Sequence, residues 1–438
     1  MDSIHRLLLL TAAGLLALAH LPANAQDAAP GSTVPDSAAA DSLTRGVLPD
    51  VVVSRSRLSL NLAEITRPVT VIRAEQIAMI PHRSLADLLQ TIPGMDVRQR
   101  GPAGVQADIG VRGGTFDQVL ILLNGVRMND PQTGHHAFSL PVDAASVERI
   151  ELLKGPGARI YGQDAYAGVV NIVTRRPERT QAVLSAARGA HGLGELSIRG
   201  SLGTSHTLTL QGRRSDGYRH NTDFRLLNAF YMGEWSFPGG KIQLMAGQRD
   251  NRFGANGFYA DERYRDQYEE VRTRMGALRM ARVLTLNRSG RPAAWQTTVS
   301  WRQNRDDYVF IRHAPEIYRN LHTSDVAGAE STLRIPGLED GRSARETLVG
   351  LDARSTWFTS TNLGTHERRS LTLFAERQAS FAGDRFNVTS GAALWTANDL
   401  GAVVLPGVDA SWSGSRGRTF FASWGLTSRV PTYTDLYY

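Results

Sequence analysis

The sequence predicts a small α+β domain over residues 50–177 followed by an antiparallel transmembrane β-barrel. Three observations carry this. An export signal opens the chain, a helical stretch then gives way to short β-rich pieces set off by glycines, and period-two alternation begins past residue 180.

Residues 1–25 read as a secretory signal peptide. His5 and Arg6 precede an apolar run from Leu7 to Leu21, too short to anchor, and Ala23-Asn24-Ala25 offers small residues for cleavage before Gln26. Residues 26–49 are rich in Ala, Pro, Ser and Asp. With few large apolar groups they cannot bury enough surface to fold, so a flexible periplasmic linker is expected.

At Asp50 the texture changes. Asp50, Val51, Val52, Val53 and Ser54 form a short β-branched stretch, and TRPVTVIRAEQI predicts a strand running into a helix. SLADLLQ (84–90) predicts a capped turn of helix, with Ser84 as N-cap, Asp87 three positions on, and IPGM (92–95) as the stop. Strands are expected within VLILLNGVRM (119–128), ERIELLKG (148–155) and AGVVNIVTRR (167–176). Asn124-Gly125 is a tight-hairpin signal. Gly113 and Gly114 permit a sharp turn, and Gly155-Pro156-Gly157 ends a strand whose Ile150 and Leu152 face a small core.

Farther on, Trp295, Thr297, Val299 and Trp301 alternate with Gln296, Thr298, Ser300 and Arg302. Thr347, Val349, Leu351 and Ala353 alternate with Leu348, Gly350, Asp352 and Arg354, and Phe420, Ala422, Trp424 and Leu426 repeat the theme. Such strands escape a hydropathy scan, and past the N-terminus no run is long enough for a transmembrane helix. Roughly thirteen such segments fit between residues 181 and 428.

Composition narrows the function. The 438 residues contain no cysteine, which removes disulfides and thiolate chemistry. The net charge of +7 comes almost wholly from arginine, since Lys154 and Lys241 are the only lysines. Acidic residues are interspersed and no compact basic stripe appears, so nucleic-acid binding is not expected. No nucleophile elbow, phosphate loop or zinc-protease motif occurs, and an enzyme is not expected.

Four phrases then follow one another: ADIGVRGG (107–114), ILLNGVRMND (121–130), VERIELLKGP (147–156) and YGQDAYAGVVNIVTRRP (161–177). Their order and spacing resemble the plug domain of TonB-dependent outer-membrane receptors. The resemblance implies an α+β plug domain (50–177) inside an antiparallel transmembrane β-barrel, of which residues 178–438 supply the N-terminal part. That barrel is incomplete, at roughly 13 of about 22 strands. Either a fragment of a longer receptor or a product unable to transport is expected. The plug-motif residues are Arg112, Gly113, Gly114, Asn124, Gly125, Lys154, Gly155 and Pro156.

The same resemblance implies an import receptor in the bacterial outer membrane, a monomer contacting lipid, energised by TonB and its inner-membrane complex. Its ligand would be small and organometallic, with no cofactor and no resident metal. Residues 50–54 suit either strand addition to TonB or the first plug strand. A signal-transducing receptor would need a further domain before the plug, for which residues 26–49 leave no room. A passive porin would have no plug.

The apices RQRGPAGVQAD (98–108) and NDPQTGHHAFSL (129–140) are expected to meet the ligand. The second, with GYRHNTDF (217–224) and NRFGANGFYA (251–260), resembles the cobalamin-receptor branch, and siderophore receptors share much of it. Candidate ligand residues are Arg100, Gln106, Gln132, His135, His136, Phe138, Phe258 and Tyr259. His135 and His136 are adjacent and point apart, which disfavours a metal pair. Asp261, Glu262, Asp266, Glu269 and Glu270 read as a solvated acidic loop rather than a calcium site. Arg112, Lys154 and Arg159, set among Glu148, Glu151 and Asp164, are expected to bridge plug and wall.

Overall fold

A computed structural model describes residues 69–438 except 103, 156, 260–262, 287–290, 338–344, 383–384 and 415–417. The expected signal peptide, the linker, residues 50–54 and Pro156 lie outside the described residues.

The plug begins with β1 (Val69–Arg73), which runs into α1 (Ala74–Met79). Next comes α2 (Leu85–Gln90), where the Asp87 N–H donates to Ser84 Oγ and the Ser84 N–H donates to the Asp87 carboxylate. This reciprocal box satisfies two backbone donors that a helix start otherwise leaves open. Its Leu85, Leu88 and Leu89 are buried. Strands β2 (Met95–Arg100) and β3 (Gln106–Val111) make a hairpin whose ends lie within the expected apex 98–108.

The plug sheet contains β4 (Val119–Leu123), β5 (Val126–Arg127), β6 (Val147–Lys154) and β7 (Gly168–Thr174), with the short helix α3 (Ala158–Tyr161) between the last two. Its order is β1-β6-β7-β4-β5, with β4 parallel to β7 and the other neighbours antiparallel. Alternation divides the side chains. Ile121, Leu123, Ile150, Leu152, Val170 and Ile172 join the main core with Leu88 and Leu89, while Leu120, Leu122, Leu153 and Val169 form a smaller core with Ala165. Burial on both faces explains why VLILL reads as an unbroken apolar run.

Two glycines fix the turns. Asn124 (φ +50°) and Gly125 (φ +79°) both lie in the left-handed region, the requirement of a two-residue hairpin loop matched to strand twist. Gly125→Val is expected to cost about 1–2 kcal/mol, read as a lower urea midpoint for plug unfolding. At Gly114 a Cβ would overlap the Ala167 methyl, so close strand approach, not φ, demands glycine there.

Thirteen strands follow, from β8 (Gln181–Arg188) to β20 (Thr419–Gly425), each antiparallel to the next. Their two faces differ as a barrel wall requires. Val299, Leu351, Leu373 and Leu394 are exposed on the outer face, and Arg302, Asn304, Asp352 and Asp409 are buried on the inner. The plug fills that inner side: Phe230, Met232, Met245 and Met275 of the wall belong to the plug's own core. Among the described residues β8 and β20 each pair on one side only, so the sheet is open between them. Phe420 and Phe421 are both exposed for that reason, although alternation places them on opposite faces. No helix among the described residues is long and apolar enough to cross a membrane, which says nothing of a barrel.

Candidate ligand-binding site between plug and wall

The wall holds the plug largely through arginines that donate to main-chain oxygens. Arg199 of β9 (Gly194–Leu202) reaches the Ala145 carbonyl, and Arg213 of β10 (His206–Ser215) reaches that of Arg83. Arg249 of β12 (Gly240–Gly254) bonds the Gly104 carbonyl, Arg279 of β13 (Tyr268–Leu286) that of Asn124, and Arg302 of β14 (Arg291–Val309) that of His136. Arg302 also pairs with Asp130 at 2.8 Å, both buried, and Ser324 caps the same carboxylate.

On the opposite flank the direction reverses. Arg159 of the plug lies 2.6 Å from Asp409 and 3.1 Å from Glu376 of the wall, and donates to the Thr389 and Gly407 carbonyls. The expected bridging role therefore holds for Arg159. Among the described residues Arg112 and Lys154 form no ion pair, and Glu148 and Glu151 are taken by Arg149. Asp164 pairs within the plug with Arg127, which also lies 3.7 Å from the wall's Asp352. Arg112, exposed at φ +50°, serves the turn into Gly113 instead.

A cavity of about 670 Å³ opens where loop 132–136 meets the wall. Gln132, His135 and His136 line its plug side, and Glu269, Asp306, Tyr308, Asn320 and His322 its wall side, with Tyr259 and Tyr318 at the aromatic margin. Gln132 donates to Asp306 at 2.7 Å, and the Tyr259 hydroxyl donates to Glu269 at 2.7 Å. Burial disfavours charge on His136, but Asp306, Glu269 and Asp130 outweigh it and raise its pKa to about 9.

His135 stacks on Phe116 and sits 2.6 Å from Asp108, which Arg100 also holds at 2.9 Å. Burial raises the Asp108 pKa, yet His135 and Arg100 prevail and leave it lowered from 3.8. A depressed carboxylate stabilises the fold above its ordinary pKa, and that contribution disappears as pH falls through the lower folded value. Amide-exchange protection at residues 104–106 is expected to fall below about pH 4, with Asp108→Asn abolishing that dependence.

The candidate residues thus divide. Gln132, His135, His136 and Tyr259 share the cavity, and Gln106 joins it through its 2.8 Å bond to Tyr259. Arg100 lies over the Tyr259 ring, with its charge 5.6 Å from the centroid. Phe258 is buried with Val105, Phe224 and Phe253, facing neither lipid nor cavity, and Phe138 packs against the plug core.

The acidic loop is corrected. Strand β13 already begins at Tyr268, so Glu269 points into the lumen while Glu270 pairs with Arg252 on the other face. Asp266 pairs with His220 at 2.5 Å. Asp261 and Glu262 lie outside the described residues. The wall residues Asp306, Tyr308, Asn320 and His322 were not singled out from sequence. Their inward position in alternating strands was the available signal.

Residues 61–169 match the family model "TonB-dependent Receptor Plug Domain", and the fold around them, a small sheet seated on the polar inner face of a larger antiparallel one, agrees with that match. The chain thus carries a match to that plug model, followed among the described residues by thirteen antiparallel strands. It is 39% identical over 141 residues to the vitamin B12 transporter BtuB of Vibrio vulnificus, covering 32% of this chain and 23% of that one. It is 34% identical over 185 residues to BtuB of Photobacterium profundum, covering 41% and 30%. The matches therefore span less than a third of those transporters. In structure it resembles the siderophore receptor PirA of Pseudomonas aeruginosa (TM-score 0.65, 19% identity, 83% of this chain and 62% of that one). The ferric citrate transporter FecA is similar (TM-score 0.64, 15% identity, 85% and 64%). At such identities these two establish the fold alone.

Proposed function

We propose that this protein is an outer-membrane import receptor that binds a scarce, large organometallic ligand above its plug and passes it to the periplasm with TonB. The observation that carries the reading is the 670 Å³ cavity floored by the plug's 132–136 loop and walled by Tyr259, Tyr308 and Tyr318. A ligand seated there touches both the movable domain and the fixed wall, which is what coupling binding to plug displacement requires. Large planar surfaces suit the aromatic margin, and hydrogen-bonding groups suit Gln132 and Asn320. The two BtuB relatives favour a cobalamin-like corrinoid over a ferric siderophore.

The test is equilibrium binding of cyanocobalamin and of a ferric catecholate to the full chain folded in detergent micelles. Saturable cyanocobalamin binding, weakened at least tenfold in Tyr259→Ala, is expected. Preference for the catecholate would move the ligand to the siderophore class, and binding of neither would remove both.

A further inference from the structure

We propose that His136, Glu269 and Asp306 form a site for one divalent transition-metal ion, with Zn²⁺ the best fit, joining the plug to the barrel wall. This goes beyond the import reading and does not depend on which ligand is carried. One imidazole nitrogen and two carboxylates converge here, with donor atoms all within 4.8 Å of one another and every residue buried. His136 Nε2 lies 3.3 Å from Asp306 Oδ2 and 3.8 Å from Glu269 Oε1. A tetrahedral ion with bonds of about 2.0–2.1 Å sets its donors roughly 3.3 Å apart. The first spacing already fits, and the second needs a carboxylate movement of about half an ångström.

Unpartnered atoms at the same place point to a missing ligand. Asp306 Oδ1 has no hydrogen-bond partner although Asp306 is 5% exposed. Gln132, also 5% exposed, gives its Nε2 to Asp306, which leaves its unpartnered Oε1 beside the cluster as a fourth donor. His322 lies directly across the strand pair from Asp306, and its Nδ1 is buried without a partner. Charge agrees with geometry. Two buried carboxylates face His136, and Arg302, the arginine on the same face of β14 as Asp306, is committed to Asp130 and the His136 carbonyl. The donor set selects the ion: calcium and magnesium prefer all-oxygen shells, whereas imidazole with carboxylates suits zinc and its neighbours.

Because His136 belongs to the plug and the two carboxylates to the wall strands β13 and β14, the ion would act as a staple across the boundary. The experiment loads the full chain, folded in micelles and stripped with chelator, with Zn²⁺ and separately with Co²⁺. One equivalent of Zn²⁺ retained after gel filtration is expected. His136→Gln and Asp306→Asn should each lower affinity at least tenfold at unchanged β-sheet circular dichroism, with His206→Ala, outside the cavity, binding as the parent does. The Co²⁺ form of the parent should show the intense visible absorption of four- or five-coordinate cobalt, a readout that survives if a variant fails to fold. Retention no greater than in His136→Gln, or the weak absorption of six-coordinate hydrated cobalt, would overturn the site.

Discussion

Arg159→Met is expected to loosen the plug by about 3–5 kcal/mol, the usual consequence of removing one partner from a buried ion cluster. The guanidinium faces Asp409 and Glu376 at 2.6 and 3.1 Å, and all three side chains are almost wholly excluded from solvent. Without it, two carboxylates remain in a space that repels their charge, and the Thr389 and Gly407 carbonyls lose a donor. Limited proteolysis should detect this as faster cleavage within residues 69–177 while the wall stays resistant. Adding Glu376→Met and Asp409→Leu should restore much of the loss, since apolar replacement of a whole buried cluster is often neutral. If the single variant alone is as stable as the parent, the cluster does not hold the plug.

The second large effect concerns residues 50–54. Deleting Asp50 to Ser54 is expected to abolish retention of the chain by purified, immobilised TonB while leaving cyanocobalamin binding intact. An added strand draws its affinity from backbone hydrogen bonds and needs an extended, β-branched segment such as DVVVS. Undiminished retention would make this stretch a plug strand instead.

Much of the fold was legible because its signals are local. Ser84 with Asp87, Asn124 with Gly125, and the alternation from Trp295 to Trp301 each settle their own geometry within a few residues. The plug phrases worked in the same way. The site was less legible because it is assembled by register. His322 opposes Asp306 only once β14 pairs with β15 (Arg319–Pro336), and His136 meets Glu269 across more than a hundred residues of intervening chain. Glu269 was misplaced because its acidic neighbours suggested a loop, whereas cross-strand pairing extends β13 up to Tyr268. The partners of Arg159 were likewise beyond a reading of neighbours, since Glu376 and Asp409 become adjacent only in the assembled wall.

The arginines of β9, β10, β12, β13 and β14 all grip carbonyl oxygens, and a carbonyl oxygen is the same in every residue type. At those five points the socket reads the path of the plug's backbone and not its spelling. At Arg83 and Ala145 the seat is thereby indifferent to the side chain, whereas positive φ holds Gly104 and Asn124 to their residue types. The wall is a mount built to hold a path of chain, and it holds that path whatever the side chains at those two points.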